Sequence, residues 1–427
     1  MPNNFPDIIN RIHFIGKISE YFERLGWTQQ EQINHIRNKY GITRSQLNDV
    51  ELLDLFKYLQ QIGNDKSMKI PIQKIFFGSP GTGKSHKISN DNDGGIVYET
   101  LGIDKKTHPE NLIKTVFHPE YTYGDFLGKL MPQTKSDGSV YYQFYEGHFL
   151  KALAQAYKNI IAQKEGESIQ NVALVIDEIN RGNSSAIFGI VFQLLDRGQD
   201  GYSAYGIDIS SLEFRKLVEL IGFKLEDKSE DRYLYGEATR GKFLDEYQSI
   251  FDKIHIQVQE SKVVGSSIRI PPNLSIFGTM NTSDSSIYFM DNAFKRRWEW
   301  EYIDWKQNSD EKIDSIILEG YGNNSFQWKQ LVESFNLFIK DNCNSVRSGK
   351  IEDMQIGYHF ISTGKVTEAQ IKNKLMFFVW DSVFNRDKNP LRELLGLQRN
   401  GKELVTFGDF IKYDKEFVEN LLSYKQK

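Results

Sequence analysis

Residues 78–85 read GSPGTGKS, and further along the chain residues 174–181 read LVIDEINR. The first stretch satisfies G-x-x-x-x-G-K-[S/T] through Gly78, Gly83, Lys84 and Ser85. A loop built from Gly78, Ser79, Pro80, Gly81, Thr82 and Gly83 can turn backbone N–H groups inward on phosphate oxygens. Lys84 then reaches the β- and γ-phosphates, and the Ser85 hydroxyl ligates Mg²⁺. In the second stretch Asp177 closes an apolar run, where a carboxylate can join the metal's oxygen shell. Glu178 follows as the group that orients and deprotonates an attacking water. Either acid alone would read as a surface carboxylate. Together with the loop they predict hydrolysis of a nucleoside triphosphate.

Two further clusters bear on that chemistry. The run TMN at 279–281 ends another apolar stretch, so Asn281 can point at the γ-phosphate or the water; a plain turn is the competing reading. Lys295, Arg296 and Arg297 stand together in NAFKRRWEW. Charge developing on a transferred phosphoryl group needs a cation from outside the loop, and in a ring it can come from a neighbouring subunit. A basic helix end facing solvent explains the same residues equally well.

These side chains need strands to hold them. IQKIFFG runs directly into the glycine loop, NVALVIDEI carries the acids, and NLSIFGTMN carries Asn281. All three are short and nearly continuously apolar, the pattern of strands buried on both faces of a parallel sheet. Between the last two lies an insert, about 201–267, with two amphipathic stretches, SLEFRKLVELIGF and KFLDEYQSIFDKI, separated by a polar turn, KLEDKSEDRYLYGEATRG. Ahead of the sheet, Ile33, Ile36 and Tyr40 fall on one helical face, and Leu52, Leu55, Phe56 and Leu59 on another. After Arg297 the chain turns aromatic and helical, as in FQWKQLVESFNLFIKD and KNKLMFFVWDSVF. The expected divisions are a helical module at 1–66, an α/β core at 67–300 containing the insert, and a helical lid at 301–427.

The chain has 427 residues, a net charge of −4 and one cysteine. That length accommodates more than one domain. A single cysteine excludes a disulfide framework and a cysteine-based zinc site, so a reducing, cytoplasmic setting is expected. No apolar run is long enough to span a membrane, and no signal peptide is expected at the start. Residues 1–66 carry near-equal numbers of basic and acidic side chains, which is not the footprint of a DNA-binding arm. No acid-plus-lysine cluster with nuclease spacing is evident.

Together the motifs resemble the McrB motor subunits of modification-dependent restriction systems, a branch of the AAA+ NTPases. GSPGTGKS is shared with many phosphate-loop proteins, whereas IDEINRGN and MNTSDSSIYFMDNAFKRRWEW are more specific. FHPEYTYGDFLGKLMP and YEGHFLKAL are similar to the family's stretch between its first two motifs, and IGYHFI and FFVWDSVF are weaker echoes. The resemblance covers roughly residues 70–400. It implies an α/β AAA+ core with a parallel sheet flanked by helices, a C-terminal helical lid and a small N-terminal helical module.

It also implies roles. Asp284 matches the signature Asp beside Asn281, both near the γ-phosphate and water. Arg181 matches an Arg acting across the subunit interface, and Arg296 and Arg297 match the arginine-finger region. The resemblance further implies GTP, with ATP as the alternative, together with Mg²⁺, a hexameric ring, a McrC-like nuclease partner, and DNA bound through the assembled complex. Ser285 stands where the signature has an arginine. The competing reading is an ATP-dependent remodelling motor, for which an aromatic pore loop within 123–131 or the insert is expected.

Overall fold

The computed structural model describes residues 28–48, 71–89, 94–164, 167–227, 231–258, 267–281, 290–306, 311–343, 351–361 and 364–424, with single or paired residues at 18–19, 22, 51–52, 54–55 and 288. In chain order the elements used below are α1 (Gln29–Tyr40), β1 (Gln73–Gly78), α2 (Lys84–Ile88), β2 (Leu112–Val116), β3 (Gly128–Thr134), β4 (Val140–Glu146), α3 (His148–Ala162) and β5 (Val172–Asp177). There follow β6 (Ile207–Asp208), α4 (Ser211–Ile221), β7 (Phe223–Asp227), β8 (Arg232–Tyr235), β9 (Ser267–Ile268), β10 (Leu274–Asn281), α5 (Asn292–Lys295), β11 (Glu299–Tyr302), α6 (Trp328–Asn342) and α7 (Asp414–Leu422).

Among the described residues the central sheet runs β11-β1-β10-β5-β2, with every neighbouring pair parallel. Its inner strands are apolar on both faces because both are covered. Ile75, Val172, Leu174, Ile176, Leu274 and Ile276 pack into one core with α3, through Phe149, Leu150, Leu153 and Tyr157. Their chain neighbours Phe76, Ala173, Val175 and Phe277 point the other way, onto Ile88, Val97, Leu101 and Ile303. This alternation within a continuous apolar run is the signature of a doubly covered parallel sheet. The chain is therefore an α/β protein with a phosphate-loop core. No helix among the described residues is long and apolar enough to cross a membrane.

The insert is stitched to this core rather than hung from it. β6 and β9 pair antiparallel at its base. Phe214, Leu217, Val218 and Ile221 of α4 join the same apolar core as α3. The stretch expected as a polar turn instead holds a hairpin, in which Phe223 pairs with Tyr235 and Leu225 with Tyr233. The sequence reading missed it because the charged residues at the tip outweigh four alternating apolar side chains. At the insert's base the Arg197 guanidinium donates to the carbonyls of Gly201, Ile270, Pro271 and Leu274 at 2.9–3.2 Å. With no acid among these partners, burial pulls its pKa down to about 9.

Another core joins Trp305, in the turn after β11, to Trp328, Leu331, Phe335, Leu375, Phe417 and Leu421 of the C-terminal helices, α6 and α7 among them. A small separate one joins Ile18, Phe22, Ile36, Leu47, Leu52 and Leu55. Ile36 is buried as its helical face predicts, but Ile33 is 39% exposed. Phe56 and Leu59 lie outside the described residues.

Candidate functional site

The side chains singled out in the sequence meet where β1, β10 and β5 end. Register sets Gly78 beside Asn281, and Asp177 follows Ile176, the partner of Gly278. Parallel strands put all three carboxyl ends on one edge of the sheet, where loops from α/β crossovers open a crevice.

Asp177 is the hub. Its Oδ1 accepts from the Ser85 hydroxyl at 2.9 Å and from the Thr279 hydroxyl at 2.7 Å. Thr279, 3% exposed, was not singled out in the sequence. A hydroxyl at the end of an otherwise apolar strand was the available signal. A serine hydroxyl and a carboxylate this close are the hard oxygen donors that Mg²⁺ takes alongside phosphate oxygens and water.

Lys84 is buried, and its ammonium is turned onto the loop's own carbonyls, Gly78 O at 3.0 Å and Ser79 O at 2.8 Å. Thr82 closes the same turn through Ser79 O.

Glu178 sits at φ 55°, left-handed backbone that costs a non-glycine residue about 1 kcal/mol. The bend separates the two adjacent acids. Asp177 stays with Ser85, while the Glu178 carboxylate accepts from Asn281 Nδ2 at 2.7 Å and pairs with Arg181 Nε at 3.5 Å. Asn180 is fully buried; its Nδ2 donates to Asn281 O at 3.1 Å, and its main-chain carbonyl accepts from the Tyr288 amide. Asn180 and Arg181 therefore act in this chain on the strand end and on Glu178. Asp284 lies outside the described residues, as does Ser285.

The consecutive arginines part company. Arg297 has a 9% exposed side chain. It pairs with Asp196 at 2.6 Å, donates to Ala293 O and lies 4.0 Å over the Phe192 ring. Arg296 is exposed at the end of α5, a short helix capped by Asp291. The Phe294 amide holds the Asp291 carboxyl below its usual range.

A segment of the C-terminal region also reaches the loop, which motif reading did not anticipate. Gly357 N donates to Pro80 O at 2.8 Å, His359 N to Gly81 O at 2.9 Å, and Ser79 Oγ to Glu352 O at 2.6 Å. Gly81 has φ +75°, and a Cβ there would collide with the Phe360 backbone. A Cβ at Gly357 would strike Gly81. The two backbones touch with no room for a side chain between them.

No model of a known protein family matches this chain. It is 27% identical over 372 residues to the YdiS component of the type II restriction enzyme BsuMI of Bacillus subtilis strain 168, covering 81% of this chain and 86% of that protein. It is 23% identical over 239 residues to the EcoKMcrB subunit of the type IV methyl-directed restriction enzyme of Escherichia coli K12. That match covers 55% of this chain but only 36% of the subunit. A solved structure from Cytophaga hutchinsonii, with 77% of this chain and 70% of its own covered, is 10% identical and overlays at TM-score 0.21.

Proposed function

We propose that the chain is a McrB-like AAA+ NTPase that hydrolyses GTP, with ATP as the alternative, as the motor subunit of a DNA restriction system. The observation that carries the hydrolytic part is the convergence of Lys84, Ser85, Asp177, Glu178 and Asn281 at three neighbouring strand ends. Restriction rests on the likeness to the two restriction-enzyme components, while GTP and a McrC-like nuclease partner rest on the motif resemblance to the McrB motors.

In this mechanism the loop from Gly78 to Gly83 encloses the phosphates. Lys84 leaves its carbonyl partners for the phosphate oxygens, which are stronger acceptors. Ser85 and Asp177 would hold Mg²⁺, which would supply charge neutralisation at the phosphates. Glu178 takes the proton of a water oriented by Asn281, so the 2.7 Å bond between those two side chains must open first. In a hexameric ring, Arg181 exchanges its own Glu178 for a neighbouring subunit's nucleotide. Arg296 is the better placed finger, since Arg297 is already occupied by Asp196.

A remodelling motor is the second reading. The β3–β4 hairpin favours it by presenting Tyr141, Tyr142 and Tyr145 to solvent. Steady-state hydrolysis of GTP and ATP side by side, with Lys84→Ala as control and ring formation followed by light scattering, separates the readings. Faster GTP turnover with nucleotide-dependent rings is the expected result. A preference for ATP removes the restriction analogy's nucleotide and favours remodelling.

A further inference from the structure

The hydrolysis site accounts for the face of the phosphate loop that meets β5. Another face is unexplained. Ser85 turns toward Asp177, and the next residue on α2, rotated by about 100°, is His86, an exposed side chain. Its ring lies 6.2 Å from that of His359, with the two planes 21° apart. One imidazole comes from the core and the other from the C-terminal region. Their register is fixed by the backbone bonds from Gly357 and His359 to Pro80 and Gly81.

We infer that His86 and His359 grip the nucleoside end of the bound nucleotide. The inference rests on the nucleotide-hydrolysis reading above. A nucleoside triphosphate is linear, so its two ends need different surroundings. The terminal phosphate belongs beside Glu178 and Asn281, because the attacking water must be there. The chain of phosphates then leaves the loop on another side, and the imidazole pair flanks the loop on the face turned to the C-terminal region. Imidazole suits the nucleoside. Its N–H donates to a ribose hydroxyl, and its flat face stacks on a base. One ring on each side of the junction also makes nucleoside contact depend on the seating of residues 352–360 against the loop.

The test measures affinities of mant-GTP and mant-ATP for the full chain, and of unlabelled tripolyphosphate by displacement. His86→Ala and His359→Ala are each expected to weaken the mant-nucleotides about tenfold, with tripolyphosphate affinity unchanged. The double variant is expected to lose less than the product of the two single effects. His359→Phe, which keeps a ring, is expected to recover part of the loss. Wild-type nucleotide affinity in both single variants would overturn the pair's role. Equal loss of tripolyphosphate would also overturn it, because the loop itself would then have been disturbed. Failure of the wild-type chain to bind either nucleotide would bring down the hydrolysis reading and this inference with it.

Discussion

Two regions of this molecule handle their side chains in opposite ways. At the strand ends around Gly78, Asp177 and Asn281 the chain answers most of its own polar groups, the buried Asn180 Oδ1 being an exception. Lys84 has loop carbonyls, Ser85 and Thr279 share Asp177, and Asn281 holds Glu178. Along the β3–β4 hairpin the reverse holds. Leu130, Val140 and Tyr142 are 48%, 60% and 67% exposed on one face, and Met131, Tyr141 and Tyr145 are 39%, 41% and 38% exposed on the other. A two-stranded ribbon gains little by itself from apolar side chains in water. The polar site thus draws its partners from the chain itself, whereas these apolar side chains of the hairpin stay exposed among the described residues.

The sharpest way to break this comparison is at Glu178. Glu178→Gln keeps the hydrogen bond to Asn281 but removes the base. Turnover is expected to fall by about two to three orders of magnitude while mant-nucleotide binding persists. Unchanged turnover would mean that the internally satisfied acid is architectural. Next in size is Arg197→Ala, which strips donors from four carbonyls at the insert's base. Urea unfolding should show a loss of about 3 kcal/mol. A loss below about 0.5 kcal/mol would make the insert an appendage after all.

The two arginines give a smaller, paired test. Arg297→Ala should cost about 1–2 kcal/mol of stability, through its ion pair and its stacking on Phe192. Arg296→Ala should stay within about 0.5 kcal/mol and alter turnover only under ring-forming conditions. Identical stability losses would erase the distinction between them. The smallest effect belongs to the hairpin. Tyr142→Ser should change the free energy of unfolding by less than about 0.5 kcal/mol. A larger loss would show that the hairpin contributes to the fold and does not await a partner.

How much of this was legible beforehand depended on how local the information was. The three motif-bearing strands stood in the sequence because burial on both faces demands continuous apolar runs, as in VALVID of β5. The edge strands β2 and β11 were not identified. β2 carries Lys114 and a 54% exposed Val116, so one-sided burial weakens the pattern. Both hairpins were missed for a related reason, since charged tips and exposed aromatics mask an alternation of period two. At the site, residue types and spacing named Lys84, Ser85, Asp177, Glu178 and Asn281. They did not name Thr279, or Asp196 as the partner of Arg297, because those contacts join residues about a hundred positions apart.

By itself the sequence determined the phosphate loop, the acidic strand and the doubly covered sheet that carries them. Those features follow from backbone freedom at glycine and from the need to bury apolar strands, both of which act over a few residues. Only the tertiary structure decided which way each neighbour turned: Asp177 toward Ser85 but Glu178 toward Asn281, Arg297 inward but Arg296 outward, and residues 352–360 onto the loop. Adjacent side chains carry the same local preferences, and what separates them is the partner that packing brings across the sheet.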